Sequence, residues 1–406
     1  PGQRQESGTA TANSDQRRSS ASATCGSNPR QRAGYSRSPG ASNLPSVAAA
    51  VPAVFFGVGG NQKSKINGCV RYDASVTDQS DEMLLSVRSH PRCLEHVPGL
   101  GHPDGPDRLQ VVLDALSARV EGRWVVDRES PLPPEGDILG ALQWVHDPAY
   151  IDRVREASAA GSGWIDSEDC GVSQGTYNAA VASAGLAMQA ALDLVNGRVR
   201  TAFVVIRPPS HHAHRDRASG YCFFGSVALA AEVVTRSWNR PVVIADFGAL
   251  HGDGIQQHFL ERDDVAFVSV HRYPAFPGTG GADVIGEGAG TGANRNLPLA
   301  KGSGDDIFCD AFETALAEAC QEIHPAAILL AAGFDAHHED PLGGMRVTEE
   351  GYRRLTAIAV SAAEVWCEGR LLSFLEGGFN LQALAKSARI HVEELAKTSV
   401  HKPLQE

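Results

Sequence analysis

From residue 203 onward the chain is punctuated by five short, near-continuously apolar runs, at 203–206, 242–245, 266–270, 326–331 and 371–375. Runs this short, without alternation of polar and apolar positions, read as strands covered on both faces. Around them lie longer stretches with helical apolar spacing, at 177–195, 225–238, 306–323, 349–368 and 381–397. Strand alternating with helix predicts an α/β domain built on a mainly parallel sheet flanked by helices, spanning residues 86–400. No internal repeat recurs at a fixed period.

In open parallel sheets, ligands bind in the crevice outside the carboxyl ends of the strands. The residues that follow each apolar run are therefore candidates for chemistry. They read Arg207-Pro208-Pro209-Ser210-His211-His212, Asp246-Phe247-Gly248-Ala249-Leu250-His251-Gly252-Asp253-Gly254, His271 with Phe276-Pro277-Gly278-Thr279-Gly280 a little later, Gly333-Phe334-Asp335-Ala336-His337-His338-Glu339-Asp340-Pro341-Leu342, and Glu376-Gly377-Gly378-Phe379-Asn380. A His pair after one strand is more often structural than catalytic. Five strand ends dense in His, Asp, Gly and Pro at one sheet edge predict a pocket built for polar or metal chemistry of a hydrolytic kind, with Gly and Pro supplying sharp turns and close backbone approach.

Charge and composition narrow the picture. A formal net charge of −12 leaves the whole chain without an electrostatic footprint for nucleic acid. No uninterrupted apolar run reaches the length of about 18 residues that a membrane span needs, and the stretch 47–58 is short and contains Pro52. The eight cysteines form no CxxC pair, which reads as reduced thiols of an intracellular protein rather than a disulfide framework or a cysteine zinc site. Residues 1–85 read as an N-terminal extension. Its first 45 residues carry six Arg against only Glu6 and Asp15 and have too few large apolar residues to offset their ordering entropy. Such a segment is either a plain tail or a transit peptide for a plastid or mitochondrion, with cytoplasm or nucleus as the alternative location.

At these residues the chain resembles the zinc-dependent histone deacetylase and acetylpolyamine amidohydrolase family, of the arginase/deacetylase fold. The resemblance runs from His90-Pro91-Arg92-Cys93-Leu94-Glu95-His96 through Gly101-His102-Pro103-Asp104-Gly105-Pro106-Asp107-Arg108-Leu109, which is similar to the family's HPExPxRL motif. It continues through the His211-His212 segment, Gly220-Tyr221-Cys222-Phe223, His251-Gly252-Asp253-Gly254, Asn296-Leu297-Pro298-Leu299, the Asp335 segment and Leu375 to Leu381. The motifs stand in the family's order over roughly 88–398, and their texture is nearer the class II branch than class I.

The resemblance implies a zinc ion that polarises an acetyl carbonyl and activates a water, a His pair acting as general base and acid with an Asp behind each ring, and a Tyr hydroxyl completing the oxyanion site. Carried over residue by residue, the pair is His211 and His212, oriented by Asp246 and Asp253. Asp335 is a zinc ligand, and Asp340 is a carboxylate near the metal. Tyr221, Phe276 and Leu342 line the channel for an acyl-lysine or acetylpolyamine, and Ser269 with Asp246 matches a structural potassium site.

The departures are as specific as the matches. The family pattern DxDxHHGxG, in register on His251-Gly252-Asp253-Gly254, places Gly248 where a ligand Asp is expected and Leu250 where a ligand His is expected. Phe379 stands where the oxyanion Tyr is expected. Two of three protein zinc ligands and the hydroxyl are replaced, so the resemblance implies a copy whose zinc binding is weak or absent. Three readings follow. One is a pseudo-deacetylase that binds an acylated ligand or a protein partner. The second is an active or residually active zinc deacetylase. The third is a non-catalytic subunit that pairs with an active homologue. The retained His211, His212, Asp246 and Asp253 read either as surviving catalytic groups or as a buried hydrogen-bonded network that is costly to dismantle piecemeal.

Overall fold

The structure, a computed structural model, describes residues 84–117, 123–161 and 163–397. The Ser- and Arg-rich segment read above as a tail or transit peptide, and the apolar stretch 47–58, lie outside the described residues. Eight strands form one sheet: β1 (Leu85–Arg88), β2 (Trp124–Asp127), β3 (Thr201–Val204), β4 (Val242–Phe247), β5 (Val265–Arg272), β6 (Asn294–Leu299), β7 (Ile328–Ala332) and β8 (Leu371–Leu375). Their order is β2-β1-β3-β8-β7-β4-β5-β6, and every pairing is parallel. The helices are α1 (Asp107–Ser117), α2 (Glu135–Leu142), α3 (Pro148–Ala160), α4 (Thr176–Val195), α5 (Ser226–Trp238), α6 (Asp253–Phe259), α7 (Asp305–Ile323), α8 (Glu349–Cys367) and α9 (Leu381–Leu395).

The five apolar runs became β3, β4, β5, β7 and β8, five of the six inner strands, and the five helical stretches became α4, α5, α7, α8 and α9. Every residue of β3, β4, β7 and β8 is buried, as a sheet covered on both faces requires. The helices fall into two groups. Helices α1, α9, α8 and α7 pack side by side, while α4 packs with α5 and with α2 and α3. Strand β3 touches α4 and α9, and β7 touches α5 and α8, so the groups cover opposite faces of the sheet. By length and composition α4 could cross a membrane, contrary to the reading from apolar runs, but 78% of its span is buried inside the fold. The described cysteines, Cys93, Cys170, Cys222, Cys309, Cys320 and Cys367, are free and buried.

Strands β1, β2 and β6 escaped the pattern, as did α1, α2, α3 and α6. The first two strands are four residues long and only partly buried, so they carry no continuous apolar run. The edge strand β6, Asn-Arg-Asn-Leu-Pro-Leu, tolerates Pro298 because an edge strand need not donate on its outer side.

Register is what builds the site. Phe247 of β4 pairs with Ala332 of β7, and Ala332 pairs with Leu375 of β8. Three adjacent strands therefore end level, and the polar segments after them start from one edge.

One buried acid anchors the far side of this framework. Glu232 of α5 is 2% exposed and faces Arg236 Nε at 2.8 Å, His258 Nε2 at 3.1 Å and the Arg262 guanidinium. Burial opposes its ionisation, but His258, Arg262 and Arg236 together hold its carboxyl at about 2, below the ordinary 4.5. A carboxyl lowered on folding stabilises above its unfolded pKa and loses that contribution as pH falls toward the folded value. Glu232→Gln should therefore remove about 2–3 kcal/mol at pH 7. It should also flatten the decline in stability between pH 4.5 and about 2 relative to the parent, as read by urea unfolding across that range.

Candidate active site

The loop after β3 carries the two histidines, and the acid that ends β8 fixes that loop. Glu376 accepts hydrogen bonds from Ser210 N at 2.6 Å and His211 N at 3.2 Å, and from the Ser210 hydroxyl. Nothing in the sequence reading gave Glu376 a role, although it stood in the segment after the last apolar run. Its carboxyl is fully enclosed, and burial pushes its pKa up.

His211 Nδ1 lies 3.1 Å from Asp246 Oδ2, and His212 Nδ1 lies 2.7 Å from Asp253 Oδ1. The two rings sit 4.0 Å apart, inclined at 49°. Asp246 belongs to β4 and Asp253 opens α6, so the two partners come from either end of the Gly248 segment. Asp253 has a second partner that the sequence did not signal: His214 Nε2 at 2.8 Å, whose Nδ1 is in turn 2.6 Å from Gln257 Oε1. Close packing at His212 depends on Gly220, which has φ +55°; a Cβ there would lie 2.3 Å from His212 Cδ2.

The two rings carry different charge. Burial disfavours a proton on His211, but the Asp246 carboxylate, with Glu376 and Asp335 behind it, raises its pKa to about 10. Burial and the charge on His211 lower the pKa of His212. At neutral pH His211 is an imidazolium and His212 a neutral ring. With Nδ1 of His212 facing the Asp253 carboxylate, the buried and unpartnered Nε2 is left as an acceptor.

Asp335 follows β7 and is 2% exposed. Its Oδ1 accepts from Ala249 N at 2.8 Å and leans into the space beside Gly248, where a Cβ would lie only 2.9 Å away. Burial and the neighbouring Asp340 raise its carboxyl to about 6. Leu250 is half-buried and packs against the hydrophobic core. The Phe379 ring lies 5.6 Å from Tyr221, edge to face, with the Arg108 guanidinium 4.8 Å above it. Phe276 is 44% exposed, its ring 5.2 Å from His212, and Leu342 is 38% exposed. The structure thus gathers the histidines, their acids, Phe276, Tyr221 and Phe379 in one place.

Asp340, expected near a metal, is committed to backbone. It accepts from Leu342 N at 2.9 Å, Gly343 N at 3.1 Å and Phe379 N at 2.7 Å. Among the described residues no group of three or more His, Cys, Asp or Glu side chains is disposed to hold a metal ion. Gly248 and Leu250 offer no ligating atom beside Asp335, so the donor set does not fit a three-ligand zinc centre. A monovalent cation at Asp246 and Ser269 fits one observation, the buried Asp246 Oδ1 without a partner, although Ser269 Oγ is already 3.0 Å from His271 Nδ1.

The all-parallel sheet with His–Asp pairs and a buried Asp at its carboxyl edge defines an α/β protein of the arginase/deacetylase fold. Residues 102–395 match the model of the histone deacetylase domain, and the chain belongs to that family, whose members are generally zinc-dependent. It is 35% identical over 315 residues to a histone deacetylase-like amidohydrolase of Pseudomonas aeruginosa, covering 75% of this chain and 80% of that protein. It is 34% identical over 355 residues to histone deacetylase 10, chloroplastic, of Oryza sativa subsp. japonica, covering 81% and 76%. The crystal structure of an HDA15 HD domain superposes with a TM-score of 0.70 at 31% identity, covering 77% of this chain and 89% of that one.

The Gly248–Asp335 contact yields a prediction about restoring one ligand. Gly248→Asp alone forces two buried carboxylates together and displaces Asp335, so it should lower the melting temperature by a few degrees, about 1–2 kcal/mol. Added zinc should restore the loss only when Leu250→His is present as well. Differential scanning fluorimetry with and without zinc reads both effects; an unchanged melting temperature for the single variant would show that Asp335 yields freely.

Proposed function

We propose that this chain is a pseudo-deacetylase: a member of its family that binds an acylated lysine or acetylpolyamine without efficient zinc-dependent hydrolysis. The observation that carries the reading is the trio Gly248, Leu250 and Phe379 around Asp335. Glycine supplies no ligand, leucine fills its position with hydrocarbon, and one carboxylate cannot replace the three protein ligands that a catalytic zinc normally has. Losing a single oxyanion donor typically costs about 10²–10³ in rate, and Phe379 has no hydroxyl to donate.

The groups that remain suit binding. Tyr221, Phe276 and Phe379 offer aromatic surface to an acyl chain. The imidazolium of His211 can donate to an amide carbonyl and the neutral His212 can accept from an amide N–H, which matches the two polar ends of an acyl amide. A second reading, a working zinc deacetylase with an unusual ligand set, is favoured by one observation: both His–Asp pairs are formed at hydrogen-bond distance. For location we propose a plastid, supported by the Arg- and Ser-rich, acid-poor first 45 residues and by the printed name of the rice relative.

The test is zinc content and acetate release on the purified chain beside its reversion Gly248→Asp, Leu250→His, Phe379→Tyr. The natural chain should carry far less than one equivalent of zinc and release no acetate, yet bind a fluorescent acetyl-lysine peptide. The reversion should bind one zinc and hydrolyse that peptide. One equivalent of zinc in the natural chain, with chelator-sensitive release of acetate, overturns the proposal in favour of the second reading.

A further inference from the structure

Most arginines and lysines among the described residues stand within ion-pair reach of a carboxylate, as Arg88, Arg198, Arg215, Arg354 and Lys397 do. Arg272, Lys301 and Arg346 have no such partner; Lys301 and Arg346 line one cavity, and Arg272 reaches the Gly344 that borders it. Its volume is about 830 Å³ and it is lined by Lys301, Gly302, His338, Gly344, Met345 and Arg346. The floor is a backbone frame: Gly302 N donates to Gly344 O at 3.0 Å and Arg346 N to Ser303 O at 2.9 Å.

Two of the cations press over Gly344. A Cβ there would lie 2.5 Å from Arg272 Nη1 and 3.2 Å from Lys301 Cε, and φ at Gly344 is +66°, so both space and backbone demand glycine. Arg272 spends its Nη1 on the carbonyl of Gly343 at 2.6 Å, and its buried Nε has no partner. The acid of the same turn, Asp340, accepts from backbone N–H groups and forms no ion pair with these cations.

We propose that this cavity binds a small anion bearing two or more negative charges, of the phosphate-ester or pyrophosphate class. Clustered cations without counter-charge are unusual in a chain of net charge −12. An anion seated among them would be attracted by all three. Guanidinium forks and an ammonium are the donors that recognise phosphoryl oxygens. The site stands apart from the His211–His212 centre and does not depend on whether that centre hydrolyses anything.

The experiment is isothermal titration of pyrophosphate into the full chain at low ionic strength, beside the double variant Lys301→Ala, Arg346→Ala. Both side chains are exposed, and circular dichroism checks that the variant is folded. The natural chain should bind one pyrophosphate, more weakly as salt rises, and the variant should lose at least about tenfold in affinity, roughly 1.4 kcal/mol. Three results would overturn the proposal. These are no binding at millimolar pyrophosphate, equal affinity in both proteins, or displacement by acetate at the same concentration, which marks a surface that any single charge satisfies. Tighter binding of a Glu-rich peptide than of pyrophosphate would likewise replace it with a protein-docking surface.

Discussion

The level termination of β4, β7 and β8 is the constraint on which everything at the site depends. Because Phe247, Ala332 and Leu375 share one rung of a parallel ladder, the segments beginning at Gly248, Gly333 and Glu376 leave the sheet side by side. Gly333 N donates to Phe247 O, and Phe334 N donates to Gly377 O, so the segments stay laced after the strands end. A slip of one residue in any strand would turn its side chains to the other face and scatter the cluster. The glycines at 248, 333 and 377 let three backbones crowd around one carboxylate, Asp335.

Charge balance inside the cluster follows from that crowding. Asp246, Asp335 and Glu376 all act on His211 and favour its proton. The charge on His211 acts on both Asp335 and Glu376. Burial raises the pKa of Asp335 and of Glu376, and the positive charge on His211 opposes that rise in both. The retained histidines thus have an electrostatic reason to persist in the fold that is separate from proton transfer.

Much of this was legible in the sequence. Uninterrupted apolar runs marked the inner strands because burial on both faces leaves no polar position to break them. Segments rich in His, Asp and Gly marked the active edge, and the replacements at Gly248, Leu250 and Phe379 could be read without coordinates. The edge strands β2 and β6 could not be read this way, because half-exposed positions dilute the apolar signal. Glu376 and His214 were hidden for another reason. Their roles come from partners 166 and 39 positions away, and no local pattern reports such pairings. Nor does any pattern disclose that Asp340, placed by motif near a metal, has its oxygens taken by four backbone N–H groups.

That last feature ties together parts of the molecule usually considered separately. Arg272 donates to the carbonyl of Gly343, Gly343 N donates to Asp340, and Asp340 accepts from Phe379 N. Three successive hydrogen bonds connect the Arg272 guanidinium with the backbone N–H of Phe379. In mechanical terms the 340–343 turn is a short lever fulcrumed on one buried acid. Thermodynamic reciprocity makes any coupling that this turn carries equal in both directions.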